Sequence, residues 1–243
     1  MRLAIVSQVR MGSTRLPGKV LLPAGADTLL GWHLRRLRRT SLPVLLATTT
    51  RPEDDVLAEF GAAHGLPVTR GDAHDVLSRY QRCAAEHDLE ALIRVTSDCP
   101  LLAPELLTEG AARYRAAADP RLYLSNVLHR TYPRGFDFEI FSRELLEEAA
   151  ARATRPEDRE HVTPYLHQNR PGTVRLAHLT RPTHPLDASH FRLTVDTADD
   201  YQLIQRLIED HGAGALDGEQ LIALLAAHPE LVALNAHVEQ KKL

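Results

Sequence analysis

Cysteine is scarce in this chain, whose 243 residues include only Cys83 and Cys99. Two thiols cannot build the disulfide framework of a secreted domain, so a reducing cytoplasm is the expected location. Long apolar runs are missing too. No stretch approaches the roughly 20 residues that cross a bilayer, so no membrane partner is expected. The opening residues MRLAIVSQVR carry charge too early, and too short an apolar run, for a secretory leader. Net charge is only −3, which excludes a global field that recruits nucleic acid. Internal repeats, low-complexity tracts and long linkers are absent. What is present is an ordinary globular composition, 44% hydrophobic and 25% charged, with enough chain to bury a sizeable core.

Short apolar runs alternate with helical patterns through the first half. Leu3–Ser7, Val44–Ala47, Pro67–Thr69 and Ala91–Val95 read as buried strands. Helical patterns cover Thr28–Arg39, Pro52–His64 (stopped by Gly65), Asp72–Glu86 and Pro104–Ala117. This alternation implies βαβ units and a mostly parallel sheet flanked by helices, an α/β fold. The second half is less regular. Leu122–Ser125 and Phe136–Phe141 read as strands, the latter because Phe136, Phe138 and Ile140 alternate with Asp137 and Glu139. Ser142 is placed to cap a helix reaching Arg152. Helices are expected at Glu157–Gln168, Ala198–His211, Gly218–Ala227 and Pro229–Glu239, and strands at Thr173–Leu179 and Arg192–Val195. An open α/β sheet binds ligands at the carboxyl ends of its strands, which singles out the loops after Ser7, Ala47, Thr69, Val95 and Val195.

The first of these loops runs Gln8-Val9-Arg10-Met11-Gly12-Ser13-Thr14-Arg15-Leu16-Pro17-Gly18-Lys19. Gly12 and Gly18 let backbone N–H groups approach a ligand, Ser13 and Thr14 add hydroxyls, and Arg10, Arg15 and Lys19 add positive charge. That combination suits a triphosphate. It is neither a P-loop, since Val20 follows Lys19, nor a Gly-x-Gly-x-x-Gly turn. Arg35, Arg36, Arg38 and Arg39, by contrast, read as the solvated face of a basic helix.

In Arg94-Val95-Thr96-Ser97-Asp98-Cys99-Pro100, Asp98 lies just past a buried strand. There it either caps a turn or holds Mg²⁺, which takes one or two carboxylates together with phosphate oxygens. Asp196, in Arg192-Leu193-Thr194-Val195-Asp196-Thr197, also follows an expected strand and is the candidate second metal carboxylate. Thr197, Asp199 and Asp200 are read as capping and first-turn residues. Cys99 is read as a packed apolar residue, not a nucleophile. Arg70-Gly71-Asp72 meets a base or ribose, or simply makes a turn. Asp137 and Glu139, after Arg134, fall on one face of their expected strand, near an acceptor. Arg159 and His161 lie on an expected helix. None of the 13 scattered histidines is assigned to a metal.

The segment QVRMGSTRLPGKVL resembles the opening motif of the cytidylyltransferase family that includes the SpsF-like spore-coat polysaccharide proteins, with the enzymes that make CMP-Kdo and CMP-sialic acids as more distant relatives. The likeness continues through LLATTTRPEDDVLAEFGAAHGLPVTRGDAHDVLSRY, RVTSDCPLL, PRGFDFEIFS, REHVTPYL and RLTVDTADDY, nearly the whole chain. It implies a single Rossmann-like, GT-A-type nucleotidyltransferase domain over 1–243. In that domain 1–120 would bind nucleotide, 121–190 would serve acceptor binding and dimerisation, and 191–243 would supply a metal-binding strand and C-terminal helices. It also implies CMP transfer from CTP with release of pyrophosphate, Mg²⁺ as cofactor and a homodimer. Arg10, Gly12, Ser13, Arg15 and Lys19 would contact the triphosphate, with Arg10, Arg15 and Lys19 as the catalytic cations. Gln8, Arg70, Gly71, Asp75 and Ser97 would lie around the nucleotide. Asp98 and Asp196 would hold the metal, and Arg134, Asp137, Glu139, Arg159 and His161 would face the acceptor. The chain reads Gln-Val-Arg where the family has Gln-Ala-Arg, and it lacks the acceptor motifs of the Kdo and sialic acid enzymes, so the likeness names only a small acidic or sugar-like acceptor. Three other readings use the same residues: transfer from another nucleoside triphosphate, a GT-A glycosyltransferase, or nucleotide binding without turnover.

Overall fold

The computed structural model describes residues 1–182 and 186–240. The expected domain over 1–243 therefore includes 183–185 and 241–243, which lie outside the described residues. In chain order the elements begin β1 (Leu3–Gln8), β2 (Pro23–Ala24), β3 (Asp27–Thr28), α1 (Leu29–Arg38), β4 (Val44–Thr49), α2 (Asp55–Ala63) and β5 (Val68–Gly71). They continue α3 (Val76–Glu86), β6 (Ala91–Thr96), α4 (Pro104–Ala117), β7 (Leu122–Ser125), β8 (Glu139–Ser142), α5 (Arg143–Arg152), α6 (Pro156–His161) and α7 (Pro164–His167). Last come β9 (Arg175–His178), α8 (Ala198–His211), α9 (Gly218–Ala227) and α10 (Pro229–Val232).

A seven-stranded sheet in the order β5-β4-β1-β6-β8-β7-β9 forms the centre. Its first four strands are parallel, β8 is antiparallel to both β6 and β7, and β9 runs parallel to β7. The sheet is thus mostly parallel and mixed, as the alternation of strands and helices implies. Strand side chains alternate between its two faces. Leu3, Ile5, Ile93 and Val95 pack with α1, α4, α8 and α9 on one side. Ala4, Val6, Leu45 and Leu92 pack with α3, α5 and α7 on the other. No helix among the described residues is long and apolar enough to cross a membrane.

Four local readings differ from the sequence expectation. The strand expected over Phe136–Phe141 begins only at Glu139, and Phe136 and Phe138 are buried in an irregular approach to it. The helix expected over Glu157–Gln168 breaks into α6 and α7, because Val162 takes φ +72° between them. The helix expected over Pro229–Glu239 stops at Val232. Arg36 does not belong to a solvated face: it is fully buried and donates to the carbonyls of Leu102 and Leu216. Burial, reinforced by Arg39, pulls its guanidinium down to about 10.

The strand expected over Arg192–Val195 is also absent as a ladder. Arg192 makes one parallel bridge with Arg134, fixed by Arg134 N–H to Phe191 O at 2.9 Å and Leu193 N–H to Arg134 O at 2.7 Å. Gly135 permits this approach. It has φ +104°, and a Cβ there would lie 2.6 Å from the Leu193 carbonyl carbon. Val195 N–H then donates to Asp98 O at 2.8 Å. Arg192–Val195 is therefore stitched between two loops, and Asp196 emerges beside Asp98.

Candidate active site

The loop after β1 is closed on itself and pinned from outside. Gly18, in the left-handed region at φ +66°, donates its N–H to Met11 O at 3.1 Å. Met11 N–H donates to Asp54 Oδ1 at 2.6 Å, and Asp54 also accepts the Thr49 hydroxyl at the end of β4. Within the loop the Ser13 hydroxyl accepts from Leu16 N–H at 3.3 Å. A Cβ at Gly12 would meet nothing within 4 Å, so that backbone is open to a ligand. Arg10 is exposed and has no ion-pair partner among the described residues.

Lys19, just past Gly18, turns inward. Its Nζ donates to Asp98 Oδ2 at 2.9 Å, to Asp196 Oδ1 at 2.9 Å and to Val195 O at 2.6 Å. The other Asp196 oxygen faces Arg15 at 3.0 Å and Arg192 at 2.9 Å. Burial opposes the charge on Lys19, but Asp98 and Asp196 outweigh it and hold the ammonium above its ordinary value. Burial likewise opposes the Asp196 carboxylate, and Lys19, Arg15 and Arg192 still hold it below the usual range. Residues distant in sequence thus form one charged centre at the carboxyl ends of β1 and β6, where a doubly wound sheet places its ligands.

Asp196 is set from behind. Arg192 Nε donates to Asp200 Oδ1 at 2.7 Å, and Asn235 Nδ2 to the same oxygen at 2.8 Å. Asp200 Oδ2 accepts the Asp196 and Thr197 N–H groups at 2.9 and 3.1 Å, closing a capping box at the start of α8. The capping role read for Thr197 and Asp200 holds. Asp199 is also in the first turn of α8, as read, and its carboxylate lies 3.1 Å from His237.

The remaining expected residues divide. Asp137 takes Arg130 with both oxygens, at 2.6 and 3.0 Å. Arg134 is half-buried with no hydrogen bond or ion pair to its guanidinium among the described residues. Burial and nearby Arg130 lower its pKa. Glu139 does not share a strand face with Asp137. Its carboxylate is buried and bound to Arg94, Tyr123 and Thr163, so its oxygens serve the interior and not an acceptor. Arg70 braces the sheet edge, donating to Thr49 O at 2.8 Å and pairing with Asp55 at 2.6 Å. Asp75 caps α3 and pairs with Arg159 at 2.8 Å, so a residue expected at the nucleotide and one expected at the acceptor bind each other. His161 is half-buried, and burial, with Arg94 and Arg10 nearby, lowers its pKa. Ser97 is buried with its N–H on Gln8 O at 3.0 Å, and the Gln8 Oε1 is buried without a partner. Cys99 is a packed apolar residue as expected, its thiol pushed well up by burial.

Sequence reasoning missed Asp54, Arg79, Arg130, Arg192 and Asp200 as parts of this region. Arg79 is fully buried beneath Gly71, and all three of its guanidinium nitrogens lack a hydrogen-bond partner. A Cβ at Gly71 would lie 3.2 Å from Arg79 Cγ, so the glycine makes room for that arginine. Asp54 had a signal, an acid in the PED turn before a helix, but its hold on Met11 comes from tertiary structure. Asp54→Asn removes a charge-assisted hydrogen bond that shapes the loop. It is expected to raise the KM of whatever ligand the loop binds about tenfold, the equivalent of ~1.4 kcal/mol, with a smaller change in kcat. Steady-state kinetics check this.

A cationic loop and a carboxylate pair thus meet at the carboxyl edge of this sheet. The cytidylyltransferase family model matches residues 3–229. The chain is 32% identical to the spore coat polysaccharide biosynthesis protein SpsF of Bacillus subtilis, over 93% of this chain and 94% of that protein. It superposes on a cytidylyltransferase from Leptospira borgpetersenii with TM-score 0.86 and 31% identity, all of both chains being covered. A CMP-2-keto-3-deoxy-manno-octonic acid synthetase complexed with CTP shares the fold at TM-score 0.62 and 17% identity, covering 87% of this chain and all of the other. The chain belongs to the cytidylyltransferase family.

Proposed function

We propose that the protein transfers CMP from CTP to a small acidic or sugar-like acceptor and releases pyrophosphate. The observation that carries this reading is the Lys19 ammonium held between Asp98 and Asp196 at the foot of a loop bearing Arg10 and Arg15. An acceptor oxygen attacks the α-phosphorus, the bond to the β-phosphate oxygen breaks, and negative charge gathers on the departing pyrophosphate. Such transfer needs positioning and charge neutralisation more than covalent chemistry from the protein. Arg10, Arg15 and Lys19 supply the neutralising charge, and Gly12 and Ser13 offer loop backbone to the phosphates. Gln8, Ser97, Arg70, Gly71 and Asp75 surround the nucleoside.

The donor set fits Mg²⁺. Both carboxylates already converge on one cation, the Lys19 ammonium. Among the described residues no group of three or more His, Cys, Asp or Glu side chains offers a site made by protein ligands alone. That suits a hard cation taken by a carboxylate or two with phosphate oxygens completing its shell. Asp98 and Asp196 would hold it, and when bound it would neutralise phosphate charge.

Arg134, with no partner of its own beside the Arg130–Asp137 pair, is the anion-binding group for the acceptor. Arg159 and His161 of α6 are assigned to the acceptor as well, Arg159 from beside the nucleoside, where it pairs with Asp75. Segment 121–190, which ends the sheet in the edge strand β9, is the part we assign to the acceptor and to homodimer pairing. The name of the Bacillus relative ties that protein to polysaccharide biosynthesis, and an activated sugar acid would suit such a pathway.

The test is pyrophosphate release with Mg²⁺ and each of four nucleoside triphosphates against a panel of sugar acids, sugar phosphates and phosphonates. Acceptor-dependent release with CTP is the expected result. Release with another triphosphate alone overturns the choice of base, and nucleotide binding without release from any pair favours a role without turnover.

A further inference from the structure

The Lys19 ammonium has three N–H donors, and each has its own acceptor: Asp98 Oδ2, Asp196 Oδ1 and Val195 O. Its side chain is 11% exposed, so water has little access to it. The outer oxygen of Asp196 is taken by Arg15 and Arg192. The other Asp98 oxygen faces the Cys99 thiol at 3.7 Å, so the two oxygens that converge on one point are those that Lys19 holds, and a divalent ion bridging them would lie where the ammonium now lies. The two cations cannot both be there, since like charges at such range repel strongly in a partly buried site.

We infer that Lys19 is a placeholder for the metal: it closes the carboxylate pair to a free divalent cation until a triphosphate draws the ammonium away. This rests on the reading of Asp98 and Asp196 as the metal carboxylates. The geometry supplies the exchange. Lys19 follows directly on Gly18, whose left-handed backbone sets where the closed phosphate-binding loop ends. The ammonium thus sits at the foot of the loop that offers Arg10 and Arg15 to an anion, and phosphate oxygens arriving there present it with new acceptors. Leaving the carboxylates uncompensated would be unfavourable, and an incoming metal ion meets that need. Nucleotide and metal therefore load together, and neither carboxylate is left bare between turnovers. The arrangement keeps the site from filling with a divalent cation while no substrate is present.

The test uses Mn²⁺ alone as the probe, without nucleotide, with free ion followed by electron paramagnetic resonance. Wild type is expected to show weak binding. Lys19→Gln is expected to bind one Mn²⁺ about tenfold or more tightly, a coupling within the usual range for two linked sites. The double variant Lys19→Gln with Asp98→Asn is expected to lose that gain, which locates it at the carboxylate pair. Lys19→Met is the second variant should Lys19→Gln fold poorly, and circular dichroism on each protein reports folding. Wild type binding Mn²⁺ as tightly as the Lys19 variants overturns the placeholder role and leaves the metal assignment standing. No Mn²⁺ binding by any folded variant overturns it as well. Acceptor-dependent pyrophosphate release from CTP by the wild type, measured in parallel with the acceptor panel, then tells whether the reading beneath it has failed too.

Discussion

Asp98→Asn is expected to lower kcat by roughly 10³-fold, ~4 kcal/mol of transition-state stabilisation, while leaving CTP binding intact or tighter. The split follows from the geometry. Asp98 meets the loop that would hold the phosphates through the Lys19 ammonium. Its charge competes with them for Lys19, at 2.9 Å. Removing that charge frees the ammonium for the nucleotide and takes away half of the carboxylate pair. Asp196→Asn is expected to fall as far in kcat with a greater loss of stability, because Asp196 also answers Arg15 and Arg192. Steady-state kinetics with calorimetric CTP titration separate the two effects. An Asp98→Asn enzyme that keeps full Mg²⁺-dependent turnover would remove Asp98 from the metal.

The second large effect lies in the interior. Glu139→Ala is expected to destabilise the fold by about 3–5 kcal/mol, because removing one partner of a buried ion pair strands the other. In a chain of this size that is a fall in Tm of about 10 °C. Burial alone would push the Glu139 carboxyl up, but Arg94, with hydrogen bonds from Tyr123 and Thr163, outweighs it and holds it below its ordinary range. A carboxyl depressed in the folded state contributes stability that is present above its unfolded pKa and is lost as pH falls through the folded value. Melting temperature against pH in wild type and Glu139→Gln shows the term directly: the acid-side slope should be shallower in the variant. A residue that only touched the acceptor would change KM and leave Tm in place.

Glu139 also shows where a sequence misleads. Phe136, Phe138 and Ile140 alternate with Asp137 and Glu139 as they would in a half-buried strand, and the pattern carries no sign that Arg94 lies opposite Glu139 on β6. The period that betrays β1, β4 and β6 is reliable because those strands are apolar and bounded by turn residues. Asp98 and Asp196 were legible for a related reason, each closing an apolar extended run before a turn or helix. Their meeting was not, since it needs Val195 N–H on Asp98 O across most of the chain. Arg192, Asp200 and Asn235 were hidden in the same way: a buried hydrogen-bond network has no period. The break between α6 and α7 turns on Val162 at φ +72°, a conformation a β-branched residue rarely takes and sequence patterning does not announce. Arg36 sits within a run of arginines whose other members reach solvent, and only the packing of α1 against the turn at Leu216 takes it inside.

The most direct test of the central claim is the fate of labelled phosphate. CTP carrying label at the α-phosphorus is incubated with the protein, Mg²⁺ and an acceptor from the panel. The label is expected to appear wholly in an acceptor–CMP conjugate, with unlabelled pyrophosphate formed in equal amount. Label retained in CDP, with the γ-phosphate found on the acceptor, would mean phosphoryl rather than cytidylyl transfer and would contradict the roles of Lys19, Asp98 and Asp196 in CMP transfer.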